Sequence, residues 1–492
     1  MDHEEFLDEL RDRLWAAQTA LADGHTLHVL LLGTASEISH ESAPRPVTPD
    51  RLPVFEWSGE FPTDAPYADL DDDGLPELAL GRVPATTVAE AEGALAKTIQ
   101  YESGSEPGEW RHRLVIFASE GKFGPILDGL LEKVGFGLAE HIPYEWEITF
   151  LHARKHSPYA LPPSRYSERL LDQLNQGALL AVYLGHGYPD ALERVDWGRG
   201  DRGPILDLET IKRIRCRNQC PILVLVACHT GRPAGGGGLA ERIALLPWSP
   251  PAVLAATEVS HPYPNALLVS ALNREILQLR RPTLGEAFRQ ALAGLLDSDG
   301  PGSRSVEDLA SVMWDEDERK RLRESHLRLY ALLGDPALRP ALPAGRIEVT
   351  LTPESARPGE TVGVCAAVQG PLSGRITLTL EAQRDEVIHE LSDWEATPAT
   401  PAEKEARDRI IEQNWRRAND KVLVEITRPY FRGRFSTWLE IPPSIPPGTY
   451  VIRASSNEGP VSSAGSAFIT VEPPEDAAEP GLEHRVGLHP LR

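Results

Sequence analysis

The chain has 492 residues, too many for one ordinary core, so two to four domains is the natural division. Lys and Arg number 50 against 73 Asp and Glu; the net charge of −23 gives no electrostatic reason to bind nucleic acid or an anionic membrane surface. Four cysteines are too few for a disulfide scaffold, and no apolar run approaches the roughly 20 residues that span a bilayer.

Met1 to Gly24 is charged and amphipathic, with Leu7, Leu10 and Leu14 at helical spacing and no signal-peptide pattern. These features predict a reducing compartment and a cytoplasmic location. Thr26–Gly33 then reads as a buried strand and Pro44–Pro66 as loop. Asp69, Asp71, Asp73, Gly74 and Glu77 form a D-x-D-x-D-G-x-x-E loop, with hard oxygen ligands at alternate positions and glycine for the sharp turn. That donor set suits a structural Ca²⁺. The twelfth-position glutamate of a helix–loop–helix calcium site is replaced by Leu80, so a solvated acidic turn is the competing reading. A helix over Thr87–Glu102, capped by Thr87, follows.

A second α/β series runs through the strand Arg113–Ser119, which ends at Glu120-Gly121, and the helix Ile126–Val134. The strand Glu147–Leu151 and the helix Ser167–Gln176 come next. Ala178 to Gly231 is the centre of the chain. There one apolar run delivers Gly185-His186-Gly187, and a second, Pro-Ile-Leu-Val-Leu-Val-Ala, delivers Cys228 followed by His229-Thr230-Gly231. Such runs, without helical periodicity, read as buried strands of a parallel sheet. Helices over Leu208–Arg215, Leu239–Leu245, Pro264–Gln278 and Thr283–Leu296, with a strand Ala252–Thr257, complete an alternation that predicts βαβ units with right-handed crossovers. Beyond a Pro/Ala linker at Arg339–Ala344 the pattern turns β-rich. About seven strands there, interrupted by a charged helix Ala402–Asn419, predict a β-sandwich, and Pro473 onward reads as a disordered tail.

Ligands and chemistry in parallel sheets collect at the carboxyl ends of strands. A thiol and an imidazole on successive strand ends are the parts of a nucleophile–base pair, since cysteine attacks only as thiolate. Gly187 lacks a Cβ, so its backbone can approach a substrate, and its N–H with that of Cys228 can hold a developing oxyanion. A zinc site built from Cys216, Cys220, Cys228 and His229 is disfavoured, because those residues spread over a helix end and a strand end. Gly235–Gly238 precedes a helix without the Lys-Ser/Thr of a phosphate loop and reads as a flexible loop on the substrate side.

Gly185-His186-Gly187 and Ala227-Cys228-His-Thr-Gly231 resemble the two signatures of caspase-like cysteine peptidases, and the gingipain-type branch fits best. Asp73-Gly-Leu-Pro-Glu-Leu-Ala-Leu-Gly-Arg-Val-Pro84, Ala118-Ser119-Glu120-Gly121, Trp197-Gly198 and Tyr330-Ala-Leu-Leu-Gly-Asp-Pro-Ala-Leu338 resemble further segments of that family. The resemblance implies an α/β fold with an N-terminal α/β subdomain (1–108) and a caspase-like catalytic domain with a parallel-sheet core (109–340). It also implies an immunoglobulin-like β-sandwich with a helical insertion (345–473), ahead of a tail (474–492). It implies a cysteine endopeptidase in which Cys228 is the nucleophile, His186 the base and Glu120 the residue that orients His186. Gly187 and Cys228 would supply the oxyanion donors, and the chemistry itself would require no cofactor. Its partners would be a protein or peptide substrate and a regulatory protein, with no nucleic acid and no membrane.

Arginine-cleaving members carry an aspartate on the loop after the third catalytic residue. Here that loop, Gly121-Lys-Phe-Gly-Pro125, has no acid. The pocket wall is expected instead from Thr257, Glu258, Ser260 and Tyr263, with Glu258 the candidate carboxylate for a basic side chain. Ala191–Pro204, with Arg194, Arg199 and Arg202, reads as an inserted surface loop. Two other classes compete: a catalytically silent scaffold on the same fold, and a hydrolase of non-peptide acyl substrates using the same pair.

Overall fold

The computed structural model describes residues 3–22, 24–34, 55–57, 61–104, 108–121, 142–297, 303–395, 397–458 and 461–474. The expected helix 126–134, most of the loop 121–125, much of the loop 44–66 and nearly all of the tail lie outside the described residues.

The first half is built on strands β1 (His28–Leu32), the small pair β2 (Phe55–Trp57) and β3 (Phe61–Thr63), then β4 (Ala79–Val83), β5 (Arg113–Ala118) and β6 (Glu147–His152). It continues through β7 (Leu180–Leu184), the hairpin β8 (Arg194–Asp196) and β9 (Arg202–Pro204), β10 (Ile222–Val226), β11 (Val253–Ala256) and β12 (Tyr330–Leu333). Eight of these form one sheet in the order β1-β4-β12-β11-β10-β7-β5-β6. Every residue of β10 is buried, because helices cover both faces. Val182, Val224 and Leu254 pack with the helices Pro262–Asn273 and Leu284–Ala293 on one side. Ala181, Leu223, Leu225 and Val253 pack with Tyr166–Asn175 and Leu239–Leu245 on the other.

Several expectations change here. The sheet is mixed, because β12 runs antiparallel to β11 while pairing in parallel with β4. Strands β1 and β4 join this one sheet through β12. The expected helix over 208–215 shortens to a 3₁₀ turn at Thr210–Arg213, where the Asp207 carboxylate and the Thr210 hydroxyl tie the entry. The loop expected at 44–66 also contains the paired β2 and β3. Cys216 and Cys220 are joined as a disulfide. That pairing removes two of the four zinc ligands considered above.

The helix Val88–Gly104 starts as expected, with the Thr87 hydroxyl accepting the Glu90 N–H at 3.2 Å. Its Lys97 is buried against the last turn of Leu239–Leu245, donating to the carbonyls of Ile243, Ala244 and Leu246 and to the Ser249 hydroxyl. Those carbonyls are the orphaned acceptors of a helix end, which a cation satisfies well.

Among the described residues the second half is all-β apart from one helix. Its strands are β13 (Gly345–Thr352), β14 (Ser355–Ala356), β15 (Thr361–Val368), β16 (Ser373–Glu381), β17 (Val422–Phe431), β18 (Arg434–Glu440), β19 (Gly448–Glu458) and β20 (Val461–Val471). They pair in the order β13-β15-β18-β17-β16-β19-β20-β14, and β20 returns to β13, so the hydrogen bonding closes into a barrel-like circuit. Alternate residues such as Val362, Val364 and Ala366 turn inward to a separate core.

The helix Pro401–Asn419 is fully docked. Thr400 caps it and Glu403 returns the bond, a reciprocal pair that fixes its start. Its far end covers the sheet edge: the Phe150 N–H donates to Asn419 Oδ1 at 2.7 Å, and Asn419 Nδ2 and Trp415 Nε1 donate to the Phe150 carbonyl at 3.0 and 2.7 Å. An open edge strand invites pairing with other chains, and this helix occupies the edge at β6.

Candidate active site

The three expected catalytic residues come from three adjacent strands. In the ladder, Ala118 pairs with Leu184 and Leu184 with Val226. The bonds continue one residue further, Ser119 N–H to the Leu184 carbonyl at 3.0 Å and Gly185 N–H to the Val226 carbonyl at 3.2 Å. Glu120, His186 and Cys228 therefore each stand two residues past the last matched pair, level with one another at the carboxyl edge of the sheet. All three side chains are half-buried.

Glycine makes this convergence possible. Gly185 has φ of +153°, and a Cβ there would fall 2.2 Å from Ser119 Oγ. At Gly187 a Cβ would fall 2.5 Å from Thr230 Cγ2 and 2.7 Å from the Cys228 carbonyl oxygen. The backbones of the His186 and Cys228 loops thus touch only because Gly187 has no side chain. The Gly187 and Cys228 N–H groups have no hydrogen-bond acceptor among the described residues.

The short helix Leu239–Leu245 ties the two loops together. Leu239 N–H donates to the Pro189 carbonyl at 2.7 Å, two residues past Gly187, and Ala240 N–H donates to the Thr230 carbonyl at 3.3 Å, two residues past Cys228. Glu241, buried, accepts on one oxygen from the N–H groups of Ala234, Gly236 and Gly238 at 3.1, 3.1 and 3.0 Å. The glycine-rich segment expected to be flexible is therefore wrapped around a carboxylate. The signal was present at the third helical position, where an acid reaches back over the cap.

The expected pocket residues separate. Ser260 is buried against Cys228, its N–H donating to Cys228 Sγ at 3.4 Å. Thr257 is 3% exposed, with its hydroxyl bonded to the Pro62 and Leu329 carbonyls, so it anchors the loop instead of facing a substrate. Tyr263 is fully buried, between Glu307 and the Arg323 guanidinium, and burial drives its hydroxyl pKa far above the ordinary tyrosine range. Glu258 lies beside the site, but its two oxygens already face His229 Nδ1 at 2.8 Å and Arg232 at 2.9 Å. The His229 approach is a close contact out of line for a hydrogen bond.

The loop behind Ser260 is held by a neutral imidazole. His261 N–H donates to His326 Nε2 at 2.9 Å, which leaves the proton on Nδ1, 2.8 Å from the Leu322 carbonyl. Burial holds His326 down to about 3, so it stays uncharged. Sequence reading missed His326 and Asn265, which carry no local motif, and took Tyr330 only as the start of a family-like segment. The segment with Arg194, Arg199 and Arg202 forms the β8–β9 hairpin.

At the acidic loop, ligand oxygens of Asp69, Asp71 and Glu77 lie within 4.8 Å of one another. Asp73 stands outside that trio and accepts the Leu75 N–H at 2.8 Å. Burial raises the carboxyl pKa of both Asp69 and Glu77.

A model of peptidase family C25 matches residues 6–341. The chain belongs to peptidase family C25. This C25 member is thus a cysteine-type peptidase, acting on protein substrates. Among solved structures it is similar to "the Arg specific cysteine proteinase gingipain R (RGPB)", at 16% identity over 94% of this chain and 88% of that one, with a TM-score of 0.48. A complex of Porphyromonas gingivalis RgpB pro- and mature domains shares 15% identity, over 94% of this chain and 89% of that chain, with a TM-score of 0.45. A structure described as a protease shares 13%, over 95% and 87%, with a TM-score of 0.49. No curated protein matches the chain.

Proposed function

We propose that this C25 peptidase is an endopeptidase working through a thioester on Cys228. The level placement of Glu120, His186 and Cys228 at one sheet edge carries the reading. His186 takes the thiol proton, the thiolate attacks the scissile carbonyl, and the imidazolium returns the proton to the leaving amine. Water, deprotonated by His186, then hydrolyses the thioester and restores the thiol. Glu120 orients the imidazole and stabilises its charged form, as the carboxylate of a triad does. The N–H groups of Gly187 and Cys228 are the proposed oxyanion donors, supported by their lack of any acceptor among the described residues. A caspase-like core and an immunoglobulin-like second domain are the finer architectural reading; the level catalytic edge favours the first, and the inward alternation of β15 the second.

Preference for basic residues would need a carboxylate with an open side. Glu258 meets His229 and Arg232 instead, so we place the determinant of specificity elsewhere on the rim. Cys228→Ala and His186→Ala should each abolish turnover of a denatured protein substrate, and hydrolysis surviving in folded Cys228→Ala would end this reading.

A structural Ca²⁺ on Asp69, Asp71 and Glu77 is a second proposal. Asp69 Oδ1 is buried and without a hydrogen-bond partner, which suits a cation, although Arg328 already approaches the other oxygen at 3.2 Å. Calorimetric titration should show Ca²⁺ binding that Asp71→Ala loses; equal heats for both proteins would remove the site.

A further inference from the structure

Behind the Cys228 sulfur lies a buried polar cluster that the proposed mechanism does not use. Ser260, Asn265 and Tyr330 are 8%, 7% and 6% exposed, and they come from the loop after β11, the helix Pro262–Asn273 and the start of β12. Tyr330 hydroxyl donates to Asn265 Oδ1 at 2.7 Å. That bond fixes which way the amide faces, so Asn265 Nδ2 donates to Ser260 Oγ at 2.9 Å. Ser260 in turn presents its N–H to Cys228 Sγ at 3.4 Å and its hydroxyl at 3.9 Å.

The proton balance gives the cluster a direction. Asn265 Nδ2 can only donate, so the Ser260 oxygen is an acceptor on that side. Its own hydroxyl proton is left to choose between the Tyr330 oxygen and the sulfur. While Cys228 is a thiol, its S–H points at the Ser260 carbonyl, 3.7 Å away. Once the thiol ionises, that carbonyl loses its donor, and the negative sulfur draws both the N–H and the hydroxyl of Ser260. The loop cannot drift from this pose, because Thr257 is bonded to Leu329 and His261 to His326 on either side of it.

We propose that Ser260 is the donor that stabilises the Cys228 thiolate, and that Asn265 is a positioning residue acting through Ser260. The proposal deepens the peptidase reading and rests on Cys228 as its nucleophile. Other groups also face the sulfur's edge of the sheet: His186 and Glu120 stand level with it, and His229, Glu258 and Arg232 flank it. The cluster adds a contribution from below, independent of those charges.

The test is the pH dependence of iodoacetamide alkylation in the full chain. Cys216 and Cys220 are paired, so a Cys365→Ser background leaves Cys228 as the one free thiol. In that background Ser260→Ala and Asn265→Ala should each move the alkylation midpoint upward by about half to one pH unit, slowing reaction at neutral pH about threefold to tenfold. Rates well above the midpoint should match the parent. The double variant should shift no further than Ser260→Ala alone, because Asn265 acts only through Ser260. Superimposed profiles in folded Ser260→Ala, which loses a single oxygen, would overturn the proposal, as would a double shift equal to the sum of the singles. Alkylation needs no peptide. A shifted profile in a protein that cleaves no peptide would sink the endopeptidase reading alone, and unshifted profiles in an active enzyme would sink the cluster alone.

Discussion

Glu241 offers the sharpest energetic test of how the active-site edge is held. Glu241→Ala removes one carboxylate oxygen that accepts three N–H groups, two of them buried and one partly exposed. Hydrogen bonds to charged groups contribute about 1.5–3 kcal/mol each, but bonds of 3.0–3.1 Å are long for that class and belong at the lower end. Two buried bonds at about 1.5 kcal/mol and one at about 1 kcal/mol give a loss of about 4 kcal/mol. Gln keeps a neutral acceptor of about half the strength, so Glu241→Gln should cost about 2 kcal/mol. In a domain of this size each kcal/mol is worth about 2 °C, giving falls in the thermal midpoint of about 8 and 4 °C. Calorimetric scans at two rates measure this directly. Because the same helix holds Pro189 and Thr230, kcat/KM for a protein substrate should fall about tenfold in Ala and recover most of that in Gln. A midpoint for Glu241→Ala within about 1 °C of the parent would refute the account, and so would Gln behaving no better than Ala.

Asn419→Ala strips two side-chain bonds from Phe150 on the sheet edge and should cost about 1–3 kcal/mol, with limited proteolysis near β6 accelerating first; unchanged digestion would mean that the remaining Trp415 bond and the helix's packing hold the edge without Asn419. Burial lowers Lys97 to about 7, below its unfolded value near 10.5. The unfolded chain then binds the extra proton between those values, so parent stability should rise relative to Lys97→Met as pH increases from about 7 to 10. A stability difference independent of pH would show that the four oxygens around its Nζ keep the ammonium charged throughout. Glu258→Gln should change cleavage after Arg or Lys by less than about fivefold, since its partners His229 and Arg232 already balance it. A larger loss confined to basic substrates would make Glu258 the pocket acid after all.

Much of the frame was legible because it depends on local pattern. Apolar runs such as Ile222–Val226, buried on both faces, have no other stable home than a sheet interior, and alternation between Thr361 and Val368 marks one inward face. Thr87 announces a helix start through a side-chain oxygen that acts over three residues. The Cys216–Cys220 disulfide and the β2–β3 pair were not legible, because neither spacing nor composition compels them. The pocket was the weakest reading. Thr257, Glu258, Ser260 and Tyr263 share one short segment, yet the structure sends two into packing, one to His229 and Arg232 and one to the sulfur.

By itself the sequence marked the candidate catalytic residues and their strand ends, since a residue following a buried run emerges at the sheet edge whatever lies elsewhere. Only the tertiary structure decided that Glu120, His186 and Cys228 are level, because register is a property of paired strands and not of any one of them. It also decided that Asn265 and Tyr330 sit beneath the nucleophile. They reach it from a helix and a strand far along the chain, and β12 brings Tyr330 there only by running against β11, which no periodicity within the chain foretells.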